Sequence, residues 1–92
     1  MGNGNGMWNQ KPLINSLLEI LIENRGEIID RRLEELLKKE FPQLNSLLLE
    51  EIFLKLESQN IINLFRVSKT KNMIVLNKNN QQIKKRIMKD LP

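Results

Sequence analysis

The sequence predicts a small α+β domain of three helices and an antiparallel hairpin, with a further helix at the C-terminal end. Three observations carry that prediction. Apolar residues recur at helical spacing from Leu13 to Ile22, Leu33 to Leu37 and Leu48 to Leu56. Two runs of branched residues flank a polar, basic loop after Asn60. Ile83, Ile87 and Leu91 recur at i, i+4 and i+8. The chain of 92 residues holds one domain, and with loose ends its core draws on roughly seventy of them.

Gly2, Gly4 and Gly6 alternate with Asn3 and Asn5, which predicts a flexible leader over residues 1–10. Trp8, the one tryptophan, reads as a side chain folded back onto an apolar groove. Pro12 suits the first turn of a helix that runs to about Asn24 and is closed by Arg25-Gly26. Leu13, Leu17, Leu21, Ile14 and Leu18 form one face, which Ile20 and Ile22 widen to roughly half the circumference. An arc so broad predicts packing on more than one neighbour. Glu27-Ile28-Ile29 is too short for an independent strand but can pair with the edge of the later hairpin.

Asp30 reads as the N-cap of a second helix, Arg31 to Glu40, with Leu33, Leu36 and Leu37 inward and Phe41 beyond. Pro42 ends it by removing a donor and disfavouring helical geometry at Phe41. Asn45 or Ser46 caps the third helix. There Leu48, Ile52, Leu56, Leu49 and Phe53 fall within an arc of about 140°. Leu47 and Leu54 lie on the other side, amid Glu50, Glu51, Glu57 and Ser58. Asn60 takes the left-handed position past the helix end. Ile61 to Val67 and Met73 to Leu76 form the hairpin strands, with Ser68 to Asn72 as the loop. The domain spans residues 11–78. After a polar break at Lys78-Asn79-Asn80, residues 79–92 form a basic helix or tail, helical from Gln81 to Asp90.

The chain has no cysteine and no histidine, which removes disulfides, thiolate metal sites and the usual general base. The carboxylate pairs Glu34-Glu35 and Glu50-Glu51 diverge by about 100° on a helix and do not converge on one reacting atom. The clustered glycines precede any strand-to-helix turn, so no phosphate loop is present. These absences predict a protein without catalysis, cofactor, metal or small-molecule substrate. No signal-peptide pattern and no apolar run near ~18 residues occurs, which predicts an intracellular protein, cytoplasmic or nuclear, or nucleoid-associated in a prokaryote.

Charge is divided unevenly. Residues 1–63 carry seven basic and ten acidic residues (−3), and residues 64–92 carry eight and one (+7), giving the net +4. A polyanion therefore meets the hairpin and tail first. The alternative reading of that half is a solvated tail kept for solubility.

The segment LKLESQNIINLFRVSKTKNMIVL, Leu54 to Leu76, ends a helix in Leu56-Glu57 and opens a strand at Ile61-Ile62. It resembles the entry into the wing of winged-helix (winged helix-turn-helix) domains. The order helix, strand, helix, turn, helix, hairpin from Leu13 to Leu76 is similar to that fold as a whole. Within the shorter segment the wording is most similar to winged helices of RNA polymerase III initiation subunits, and to TFIIE beta and its archaeal counterparts. Repressors of the MarR and ArsR type share much of it.

The resemblance implies a third helix in the major groove and a wing along phosphates. Arg66, Lys69 and Lys71 occupy the wing and suit phosphate contacts. Ser46, Leu47, Glu50, Glu51, Leu54 and Ser58 occupy the reading positions, with Lys55 at the edge. That set departs from the Arg, Lys, Asn and Gln that read base edges, and its acids oppose phosphates.

The two halves carry different expectations. Arg66, Lys69, Lys71, Lys78, Lys84, Lys85 and Arg86 are candidate contacts to double-stranded DNA, non-specific and salt-sensitive. Leu47, Glu50, Glu51, Leu54 and Ser58 are candidates for a protein partner or self-association. A membrane-surface role for Ile83 to Lys89 is the weaker reading, because the helix is short and lacks an aromatic anchor. Packing of that helix on Ile20, Ile22 or Trp8 is the stronger one.

Overall fold

The computed structural model describes residues 10–89. The leader, Trp8, Leu91 and the side chain of Ile87 lie outside the described residues. Seven elements run in order: α1 (Lys11–Glu23), β1 (Glu27–Ile29), α2 (Asp30–Glu40), α3 (Ser46–Ser58), β2 (Ile62–Arg66), β3 (Asn72–Leu76) and α4 (Gln81–Lys89). The strands form one antiparallel sheet in the order β1-β3-β2. Glu27 to Ile29 pairs with the hairpin, one of the outcomes open to so short a strand.

The register divides the sheet into two faces. Ile28, Ile74 and Leu64 form one row across the three strands, and Ile62 pairs with Leu76. All but half-buried Leu64 are buried. The opposite face carries Ile29, Met73 and Phe65 in one row and Glu27, Val75 and Asn63 in the next.

Over the inner face lie Leu13, Leu17, Leu18 and Leu21 of α1, Leu33 and Leu37 of α2, and Leu49, Ile52, Phe53 and Leu56 of α3. The wide apolar arc of α1 is used as expected, against α2, β1 and β3 together. Ile14, Ile20, Ile22, Leu36, Phe41 and Leu48 pack half-buried around this core. Ile83 of α4 belongs to the core as well, at 2% exposure.

Both long helices that enter the sheet stop in the same way. After α3, Asn60 has φ +61°, the Ile61 N–H donates to the Leu56 carbonyl (2.9 Å), and the Asn60 N–H donates to Glu57 (3.0 Å). After α1 the same pair of bonds runs from Gly26 to Leu21 (2.7 Å) and from Arg25 to Ile22 (3.1 Å). The left-handed residue there is Arg25, φ +62°, with Gly26 next at φ +90°. Arginine thus sits where glycine costs least, and the glycine comes one residue later.

Four boundaries differ from the sequence reading. Asp30 is the first helical residue of α2 and not its cap: the capping position is Ile29, extended because it pairs with Met73. The Asp30 carboxylate accepts from the Arg31 N–H (2.8 Å) and from the Asn72 side chain (3.4 Å). β2 begins at Ile62, since Ile61 closes α3, and ends at Arg66, which pairs with Asn72. Asn72 is therefore a strand residue, and Val67 to Lys71 form the tip. Asn45, rather than Ser46, caps α3 by accepting from the Leu48 N–H (2.9 Å).

Arg25→Gly is expected to raise stability by about 1 kcal/mol by relieving the left-handed backbone, measured as a higher urea midpoint at unchanged slope. Asn60→Gly is expected to change it less, because asparagine already tolerates that conformation. A lower midpoint for Arg25→Gly would contradict the assignment.

Candidate nucleic-acid and protein interfaces

The tip of the β2–β3 hairpin is a small hydrogen-bonded turn. The N–H groups of Val67 and Ser68 both donate to the Lys71 carbonyl (3.0 and 3.3 Å), and the Thr70 N–H donates to Ser68 Oγ (3.3 Å). Arg66, Lys69 and Lys71 are exposed around it, and none forms an ion pair with a described acid. Their charge is available to a polyanion.

The seven candidate cations do not form one patch. Lys78 lies past β3 at the opposite end from the tip, beside Ile22, Arg25 and Gly26. Five residues separate it from Asn72, and β3 is extended over Asn72–Leu76, which alone spans roughly 13 Å at the strand rise. Lys84 and Lys85 lie exposed on α4, whereas Arg86 turns back to α1. It donates to the Asn15 side chain and carbonyl (3.4 and 3.5 Å) and meets Glu19 at 3.9 Å. Arg86 is thus partly neutralised, which sequence spacing could not reveal.

Asn80 holds α4 in place. Its side-chain oxygen accepts from the N–H groups of Gln82 and Ile83 (2.8 and 3.3 Å), capping the helix. Its side-chain nitrogen donates to the carbonyls of Gln59 and Asn60 (3.4 and 3.1 Å), and Asn77 adds a bond to Asn60 (2.8 Å). The polar break before α4 is therefore a clamp on the end of α3. An Asn three residues before Ile83 was the available signal.

On α3, Leu47 and Leu54 are exposed at 75% and 57%, with Glu50 and Glu51 exposed between them. Ser58 is exposed too, but its hydroxyl donates to the Lys55 carbonyl (2.7 Å) within the helix. A cleft of about 360 Å³ opens between the start of α2, α3 and the inner side of the hairpin. Leu49, Phe53, Leu54 and Leu64 line its apolar part. Its charged lining is Asp30, Glu34 and Glu50 against Arg31, with Glu34 paired to Lys38 (3.0 Å), so Asp30 and Glu50 carry its excess negative charge. The surface facing the hairpin across α3 is therefore acidic and apolar.

Two exposed residues were not singled out from the sequence. Phe65 is 55% exposed on the hairpin face away from the core, and Val67 is 52% exposed at the start of the tip. Among the described residues no group of His, Cys, Asp or Glu could hold a metal ion, and no helix is long and apolar enough to cross a membrane. No family model matches the chain, and no curated protein or solved structure matches it significantly.

Asn80→Ala is expected to cost about 1 kcal/mol and to reduce helical circular dichroism, because α4 loses its cap and its tie to α3. Unchanged stability would show that the clamp contributes nothing.

Proposed function

We propose that the chain is a non-catalytic winged-helix module acting in transcription, which holds DNA electrostatically through its wing and basic tail and a protein partner through α3. The element order and the β1-β3-β2 sheet support the winged-helix reading. One observation carries the division of labour. The two elements that such a fold turns toward DNA have opposite chemistry: cations at the hairpin tip with no ion pair among the described residues, and leucines with acids on α3. Phosphates favour the first and are repelled by the second. Exposed apolar side chains on one stripe suit a protein surface.

The second reading is a purely protein-binding winged helix, an assembly or dimerisation module without physiological DNA binding. The acidic lining of the cleft beside α3 favours it.

A salt titration of duplex binding separates them. If about five cations meet phosphates, log affinity falls against log salt with a slope near −4 to −5. Replacing Arg66, Lys69 and Lys71 by Gln should flatten that slope by about 3. A flat titration, or no binding at low salt, leaves the second reading. Leu47→Glu with Leu54→Glu should abolish partner capture with circular dichroism unchanged, and capture that survives would clear the leucine stripe of the role.

A further inference from the structure

The buried side chains of all four helices join Ile28, Ile62, Ile74 and Leu76 in one core on the inner side of the sheet. The outer side carries Ile29, Met73 and Phe65 in one row and Glu27, Val75 and Asn63 in the next. Ile29, Met73 and Val75 are half-buried, yet none of them belongs to the core or packs on it. Phe65 closes its row on the edge strand β2 and is 55% exposed. Its ring offers apolar area that an incoming flat group can take out of water.

Charge on this side is divided along the strands. The bond from the Val67 N–H to the Lys71 carbonyl (3.0 Å) continues the β2–β3 register past the Phe65–Met73 pair. Lys71 therefore stands two residues beyond Met73, roughly 7 Å at the strand rise. Lys69 lies in the tip, and Arg66 follows Phe65 directly. All three are exposed, and none forms an ion pair with a described acid. Glu27 is the one acid in the two outer rows. It occupies the far corner, two strands from β2 (roughly 10 Å) and a row further from the tip. Asp30 is engaged on the other side, where it accepts from the Asn72 side chain (3.4 Å) and lines the cleft.

An exposed ring beside uncompensated cations matches the two parts of an unpaired nucleotide. The base stacks on the aromatic face whatever its identity, and the phosphate lies against the cations. A duplex can use only the cations, because its bases are stacked within the helix and present no face to Phe65.

We infer that the outer face of the sheet takes single-stranded nucleic acid, with a base stacked on Phe65 beside Met73 and the adjoining phosphates at Arg66, Lys69 and Lys71. The inference rests on the wing half of the function proposed above and adds a ligand class to it: unpaired nucleotides, deoxyribo- or ribo-. The wing cations then serve strand and duplex alike, while Phe65 serves the strand alone.

Fluorescence anisotropy at low salt with the full chain tests it on three labelled probes: a short thymidine oligonucleotide, its uridine counterpart and a duplex of the same length. Phe65→Ala is expected to weaken binding of one or both single strands about tenfold, with duplex affinity and circular dichroism unchanged. Phe65→Trp should retain single-strand binding, since it keeps a stacking ring. Lys69→Gln with Lys71→Gln should weaken strand and duplex together. The Phe65 ring protons should shift upfield as a single strand is added and stay still with the duplex. The inference is overturned if Phe65→Ala leaves both single strands unaffected or weakens the duplex equally, or if the ring protons do not move. Self-association that Phe65→Ala abolishes, with strand binding intact, would overturn it by assigning the face to a protein contact. Duplex binding alongside a Phe65-independent single strand sinks this inference alone. Failure of all three probes to bind at low salt sinks the wing reading with it.

Discussion

β3 is hydrogen-bonded on both edges, and its register holds the rest of the molecule in place. The backbone of Ile74 and Leu76 faces β1 while Met73 and Val75 face β2, and the side chains of Ile74 and Leu76 enter the core. A slip of one residue would turn those two outward and put Met73 and Val75 inside. The helices packed on the inner face exclude that, since Ile74 meets Ile28 and Leu64 in a row beneath α1, α2 and α3. The same register sets where the basic tip projects and which face carries Phe65.

A second constraint couples α3 to the hairpin and the tail helix. Asn60 adopts the left-handed conformation that turns the chain into β2, and its carbonyl is held by Asn77 and Asn80. Asn80 in turn caps α4. One short network thus joins the end of α3, the base of the hairpin and the start of α4. The outward stripe of α3 and the cationic tip are held as separate surfaces on one framework.

Much of this could be read from residue spacing. Helical periodicity separated the buried Leu49, Ile52, Phe53 and Leu56 from the exposed Leu47 and Leu54, because 100° per residue leaves little freedom once one face is apolar. The turn residue Asn60 was legible for a similar reason: few side chains tolerate its conformation. The strands were harder. Ile61 and Ile62 are both buried, which breaks the two-residue alternation, so parity along β2 depended on whether Ile61 belonged to the strand or to the helix end. That uncertainty hid the exposure of Phe65. Contacts between distant segments, such as Arg86 with Asn15 or Asn80 with Gln59, leave no local pattern at all. Asp30 has the composition of a cap, but the strand leading into α2 supplies the extended residue that a cap normally provides.

A cationic hairpin set against an acidic, apolar α3 is the contrast on which the proposed function stands. Amide chemical shifts during titration with a short duplex at low salt would test it most directly, since they report both elements at once. Arg66, Lys69 and Lys71 are predicted to move first and furthest, with smaller changes at Lys84 and Lys85. Leu47, Glu50, Glu51 and Leu54 should stay still. If the outer face of α3 moves most while the tip does not, the assignment of the two faces is wrong.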